Sequence, residues 1–170
     1  MFEAITSDLK IISVSKKLTG LKKKCLIVNP SEIDKRWFGN RKKPHLDVPR
    51  LLYLGRIKKE KGIFSLIQIL NSTNLNFKLK IVGSEKKIFS SNNKISYVKQ
   101  LNSIKSIVKL YDECNIFILP SYTEGAPKVL LESLIRYRPL VIFNNINHVR
   151  RNWSGVFSCK REVNNMFGKF

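Results

Sequence analysis

The chain is poor in the residues that build covalent or metal frameworks. It has 3 cysteines, Cys25, Cys114 and Cys159, without C-x-x-C spacing. An odd number so scattered argues against a disulfide framework and points to reduced thiols buried on strands or at strand edges. Its 2 histidines, His45 and His148, lie far apart, so no metal cluster can be assembled from the sequence. Acidic residues are scarce too: 12 Asp+Glu stand against 32 Lys+Arg, for a formal net charge of +20. No apolar run approaches the ~18 residues that a membrane helix needs. The amino terminus, MFEAITSDLK, carries an early acid where a signal peptide would carry an apolar core. These absences set the expectation of a cytoplasmic protein. Internal repeats and low-complexity linkers are also lacking.

What is there is enough for one domain. With 170 residues, 43% of them hydrophobic, the chain can bury one ordinary core but is too short for two full Rossmann-like domains. Apolar runs at Ile11 to Val14, Cys25 to Val28, Leu51 to Leu54, Lys78 to Val82, Ile95 to Val98, Ile116 to Leu119, Leu140 to Phe143 and Gly155 to Ser158 read as strands. Several are nearly continuous, as in parallel strands covered on both faces. Helices are predicted over Ser15 to Lys24, Ile63 to Asn71, Ile104 to Glu113 and Lys128 to Tyr137. The alternation predicts an α/β fold with a doubly wound parallel sheet from Pro49 onward, the polar stretch Ser31 to Pro49 serving as a hinge.

Two constellations suggest chemistry. In PSYTEGAPKVLLES (120 to 133) the apolar strand IFIL gives way to a helix, with Glu124 just beyond the strand and Glu132 two helical turns later. Open α/β sheets bind ligands outside the carboxyl ends of their strands, and an ionised carboxylate there accepts hydroxyl protons. In LLYLGRIKKEKG (51 to 62) a strand ends in Gly55, followed by Arg56 and by Lys61-Gly62 at the mouth of the next helix. Cationic side chains at a helix N-terminus suit a phosphate. A diphosphate beside hydroxyl-binding acids describes a nucleotide sugar. Gly83, after the strand LKIV, marks a tight turn or a close approach of nucleotide to backbone. Local alternatives stand beside each reading. Glu132 and Arg136 have i, i+4 spacing for an ordinary ion pair. Glu124 can complement a helix dipole, and Arg56 and Lys61 share a solvated run with Lys58 and Lys59. Tyr97 and Tyr122 are read as packing residues before base-stacking ones.

Taken in order, G-R-x(4)-K-G, IVGS after a strand, LPSYTEG…LLES with its E-x(7)-E spacing, and RPLVIF make the chain resemble the C-terminal half of a family 4 glycosyltransferase of the GT-B fold. The stretch 14 to 38 is similar to the family's crossover between domains. The resemblance implies that residues 1–48 are a remnant of the N-terminal domain and the crossover, and that 49–170 form a nucleotide-sugar-binding Rossmann-like domain truncated at its C-terminus. It further implies a role in polysaccharide biosynthesis: transfer of a sugar from a nucleoside diphosphate sugar to a glycan or lipid-linked acceptor, with retention of configuration, without a cofactor and without a metal. Arg56 and Lys61 would then stabilise the diphosphate leaving group. Glu124 would hold donor-sugar hydroxyls and Glu132 the ribose hydroxyls, while Gly55, Gly83, Gly125 and Ala126 would approach the donor through backbone. The family's N-terminal catalytic elements have no match, so a separate chain supplying that domain is the expected partner. A non-catalytic nucleotide-sugar-binding module, or an inactive fragment, is the alternative.

The charge admits further partners. A +20 surface attracts polyanions. The basic residues form short clusters without a nucleic-acid motif, so nucleic acid is expected to bind without sequence preference. The two remaining readings are solvated charge of purely compositional origin and peripheral contact with the anionic inner face of a membrane, as a basic adaptor would make.

Overall fold

The computed structural model describes residues 12–13, 26–27, 33–44, 47–83, 93–125, 127–143, 146 and 154–159. Ile12–Ser13 (β1) and Leu26–Ile27 (β2) pair in parallel as a separate two-stranded sheet. The predicted helix at 15–24 lies outside the described residues. The main sheet comprises Arg50–Leu54 (β3), Lys78–Val82 (β4), Ile95–Val98 (β5), Ile116–Leu119 (β6), Leu140–Phe143 (β7) and Val156–Cys159 (β8). Its spatial order is β5-β4-β3-β6-β7-β8 and every pairing is parallel. This is the expected doubly wound α/β sheet. The chain builds outward from β3 to β5, returns to lay β6 beside β3, and then builds the other way.

Alternation along the strands divides the core between the two faces of the sheet. On one face Leu52, Val82, Phe117, Leu119, Leu140 and Ile142 pack with Leu110, Tyr111 and Cys114 of Ile104–Glu113 (α2), with Leu130 of Lys128–Ile135 (α3), and with Trp37. On the other, Leu51, Tyr53, Leu79, Ile81, Ile95 and Ile118 pack against Ile63–Asn71 (α1). That helix buries Ile63, Leu66, Ile67 and Leu70, the i, i+3, i+4, i+7 stripe of an amphipathic helix. Several ends differ from expectation, β3 opening one residue early at Arg50 and β8 closing one residue late at Cys159. Helix α3 stops at Ile135 because Tyr137 adopts φ 57, and Arg138 N–H and Ser133 Oγ close the turn on the Ser133 and Arg138 carbonyls. Strand β8 starts one residue late because Gly155, at φ 85, still belongs to the preceding turn.

The stretch expected to be a hinge is stitched down where it is described. Lys35–Phe38 forms a 3-10 turn, capped by the Asp34 carboxylate, that delivers Trp37 into the core edge-on to Tyr111. Two buried arginines hold this stretch. Arg136 donates to the carbonyls of Trp37, Gly39 and Asn40 and pairs bidentately with Asp112 at 2.7 Å. Arg138 donates to the carbonyls of Lys42, Tyr111 and Asp112. A guanidinium so deep is tolerated because its N–H groups meet carbonyls and a carboxylate. The local alternative for Glu132, an ion pair with Arg136, is therefore absent: Arg136 turns to α2. Of the thiols, Cys114 is buried as expected, whereas Cys159 is exposed, contrary to expectation; Cys25 lies outside the described residues.

Candidate functional site

The strand order places a crevice at the carboxyl ends of β3 and β6, where adjacent strands send their connections in opposite directions. The loop after β3 begins with Gly55, whose N–H bonds to the Val82 carbonyl at 3.0 Å. The buried Tyr53 hydroxyl then donates to the Arg56 carbonyl at 2.7 Å. Burial above all, and then the Glu124 and Glu60 charges, push the Tyr53 phenol pKa up, so it remains a donor. A short 3-10 turn, Lys59–Lys61, runs into Gly62 at φ 66, which opens α1. The loop after β6 lies directly against this turn. A Cβ on Gly62 would fall 2.0 Å from the Pro120 carbonyl oxygen, so only glycine lets the two backbones meet. Tyr122 ties the loops at both ends: its N–H bonds to the Glu60 carbonyl and its hydroxyl to Ser65 Oγ, each at 2.9 Å.

This contact brings Lys61 and Glu124 together across 63 positions of sequence. Lys61 Nζ donates to Glu124 Oε1 at 2.8 Å, and the two side chains are 19% and 11% exposed. Buried Ser121 donates to the same oxygen. Both contacts fall on Oε1, leaving Oε2 to accept further protons, while the ammonium keeps two of its three donors. Arg56 projects from the same loop and is exposed. Lys58 and Lys59 are exposed as well, so the run divides into solvated lysines and a half-buried Lys61. Gly83, at φ 120, lies against Gly55: a Cβ there would be 2.5 Å from the Gly55 carbonyl oxygen. The glycine is thus required by the approach of one strand end to its neighbour. Gly125 is half-buried in the β6 loop, and Ala126 is outside the described residues.

Glu132 lies in the second turn of α3 and is half-buried, not solvated. The Tyr111 hydroxyl donates to its Oε2 at 3.2 Å. Burial raises its carboxyl pKa, an effect opposed by the Tyr111 bond and by Lys128. Tyr97 packs against the α1 side of the core, and its hydroxyl is buried without a partner among the described residues. Sequence reasoning missed Tyr53, Ser121 and Tyr111, the residues that orient the others. The only signal available was a hydroxyl side chain within a few positions of Arg56 and Glu124, and for Tyr111 there was none.

A groove of about 420 Å³ lies elsewhere, lined by Arg50, Lys78, Lys80, Ser96 and Glu113 over the amino halves of β3 and β4. It contains none of the predicted site residues. Among the described residues no group of three His, Cys, Asp or Glu side chains could hold a metal ion, and no helix is long and apolar enough to cross a membrane.

Comparison with known proteins follows the same outline. Residues 36–151 match the family described as "Glycosyl transferases group 1". The capsular polysaccharide biosynthesis glycosyltransferase CapM of Staphylococcus aureus is 31% identical over 102 residues, covering 54% of this chain and 27% of that protein. The putative teichuronic acid biosynthesis glycosyltransferase TuaC of Bacillus subtilis (strain 168) is 30% identical over 96 residues, covering 56% of this chain and 25% of that protein. The matched region thus spans about a quarter of these relatives. A glycosyltransferase from Rickettsia africae ESF-5 superposes with a TM-score of 0.68 at 17% identity, covering 90% of this chain and 49% of that one, and shares the fold.

Proposed function

The chain belongs to the group 1 glycosyl transferases, and from that premise we propose that the switch point between β3 and β6 binds a nucleoside diphosphate sugar whose sugar passes to a glycan or lipid-linked acceptor. One observation carries the reading: two loops far apart in sequence deliver a half-buried cation and carboxylate, Lys61 and Glu124, within 2.8 Å at the carboxyl ends of adjacent parallel strands. The roles follow from donor and acceptor counts. Lys61 keeps two N–H donors for a diphosphate oxygen, and exposed Arg56 adds a planar guanidinium from the same loop. Together they neutralise the charge that grows on the leaving diphosphate. Glu124 Oε2 takes sugar hydroxyls and Glu132 Oε1 takes ribose hydroxyls, so both acids position the donor. The backbone at Gly55, Gly83 and Gly125 lies along the path of the diphosphate and nucleoside, and Ala126, outside the described residues, is assigned the same backbone role by the resemblance alone. The reaction retains configuration and needs no metal.

The acceptor and the opposing wall of the cleft come from a second domain, in cis or on a separate chain, and transfer belongs to the assembled pair. The similarity to CapM, a capsular polysaccharide biosynthesis glycosyltransferase, and to TuaC, a putative teichuronic acid biosynthesis glycosyltransferase, favours a glycan acceptor. Exposed Lys35, Arg36, Arg41, Lys42 and Lys43 favour peripheral contact with an anionic membrane, at about 1 kcal/mol for each charge near the surface. The decisive experiment is a calorimetric and thermal-shift screen of UDP, GDP, ADP and CMP sugars. A donor at a hundred times its dissociation constant should stabilise the fold by about 2.7 kcal/mol. No stabilisation by any nucleotide at millimolar concentration would overturn the reading. Binding without transfer to any acceptor, even with the second domain supplied, would reduce the chain to a nucleotide-sugar-binding module.

A further inference from the structure

We propose that Tyr111 is a positioning residue for the donor site, its hydroxyl fixing the Glu132 carboxylate so that one oxygen is held by the protein and the other is kept for the ligand. This rests on the reading above, in which Glu132 accepts nucleoside hydroxyls. The geometry is that of a fixed donor. The Tyr111 ring is fully buried, stacked on Phe117 at 5.3 Å between centroids and met edge-on by Trp37 at 5.4 Å. Its backbone is held as well, since Arg138 Nε donates to the Tyr111 carbonyl at 2.6 Å. The ring therefore cannot follow a moving acceptor. Its single hydroxyl proton has two acceptors in range, Glu132 Oε2 at 3.2 Å and the Val129 carbonyl at 3.4 Å. The nearer acceptor is also the charged one, which makes the stronger bond.

A position that served packing alone would be filled by phenylalanine, with no polar atom to satisfy in the core. Here the hydroxyl reaches out of α2 to a carboxylate on α3 that, among the described residues, has no cation partner of its own across the interface. The titratable groups acting on Glu132 are Tyr111 from α2 and Lys128 from α3 itself; Cys114 and Glu132 are those acting on Tyr111. Burial raises the Glu132 pKa, and the Tyr111 bond is the largest influence that lowers it. The hydroxyl thus both orients the carboxylate and, against the effect of burial, favours its ionised form, the form that accepts hydroxyl protons.

The test compares the full chain with its Tyr111→Phe and Glu132→Ala variants. Binding of UDP, GDP, ADP or CDP, whichever the wild type binds, is measured from about pH 5 to about pH 9, and the Glu132 carboxyl is titrated by carbon-13 NMR without nucleotide. Tyr111→Phe should weaken binding roughly tenfold at neutral pH, the scale of one bond to a charged group. It should also raise the Glu132 pKa, so that binding is lost at a higher pH on acidification. If Glu132→Ala weakens binding and Tyr111→Phe does not, the positioning role is wrong while the donor site stands. A uniform weakening with no shift in the carboxyl titration would likewise overturn it, leaving Tyr111 as packing. If Glu132→Ala changes nothing, the ribose role falls, and this proposal with it.

Discussion

Gly62 is where two loops meet, and replacing it with alanine tests the geometry of the site. Two costs add. Alanine at φ 66 occupies the left-handed region, at about 1–2 kcal/mol. Its Cβ would also sit 2.0 Å from the Pro120 carbonyl oxygen and 2.8 Å from its carbon, backbone atoms that cannot rotate away. Restoring a tolerable contact requires the loops to part by about 1 Å, an overpacking strain of about 1–3 kcal/mol. Gly62→Ala should therefore cost about 2–5 kcal/mol in urea-induced unfolding, a large part of the ~5–15 kcal/mol that stabilises an ordinary domain. The same separation lengthens the 2.8 Å Lys61–Glu124 contact and the 2.9 Å bond from Tyr122 N–H to Glu60, so nucleotide affinity should fall in the fraction that remains folded. Gly39→Ala is the control: the nearest atom to its Cβ is the Arg36 carbonyl oxygen at 3.6 Å, an ordinary contact, and its φ is −57. That variant should lie within about 0.5 kcal/mol of wild type. If Gly62→Ala is as neutral as Gly39→Ala, the two loops are not constrained against each other and the site geometry derived from them is wrong.

Other perturbations reach the rest of the chain. Asp112→Ala removes the carboxylate that pairs with buried Arg136 at 2.7 Å and should destabilise the fold by about 3 kcal/mol in equilibrium unfolding; a loss under about 1 kcal/mol would mean that carbonyls alone satisfy the guanidinium groups. Glu132→Gln tests the raised carboxyl pKa through linkage. Below the ordinary value of 4.5 the carboxyl is protonated folded and unfolded, and the variant should match wild type. As pH rises through the elevated native pKa, wild type loses stability that the glutamine keeps, so the variant should unfold at higher urea at neutral pH; equal midpoints at every pH would contradict the shift. Burial pushes the Cys114 thiol up to about 12, whereas Cys159 is exposed. Mass spectrometry after brief iodoacetamide treatment near pH 8 should find Cys159 modified and Cys114 intact until the chain is denatured, and early labelling of Cys114 would show that α2 opens readily.

The sheet was legible because its strands carry their own signal. Lys78–Val82, Ile95–Val98, Ile116–Leu119 and Leu140–Phe143 are apolar runs bounded by turn residues, and the residues alone predict the same bounds. Helices α1 and α2 were as clear, since their apolar stripes keep helical spacing. The α3 end was not, because the left-handed Tyr137 carries no local signature such as glycine. The Lys35–Phe38 turn and its docking were hidden for a different reason: the stretch is polar, and what holds it are arginines some 96 to 99 positions away. Arginine is normally a surface residue, so nothing in the sequence marks Arg136 and Arg138 as buried. The same blindness affected Glu132, whose i, i+4 neighbour suggested a pair while its actual partner sits on another helix. The loops of the site were found by their charges. Their contact through Gly62 was not, because a close approach of two backbones is a property of the fold and not of either segment.

The two arginines also order events in time. A nascent chain leaves the ribosome amino end first, so residues 33–44 emerge long before Arg136 and Arg138 exist to receive their carbonyls. Until then Trp37 has no stable seat, and the early strands must assemble with this stretch undocked. Seating it is therefore among the last steps of synthesis, and its loop-closure entropy, over nearly a hundred residues, is met only when α3 has formed. In chains stalled on the ribosome, protection of 33–44 from protease should appear only once residues beyond 138 have cleared the exit tunnel. Protection at shorter lengths would mean that other contacts seat Trp37 first.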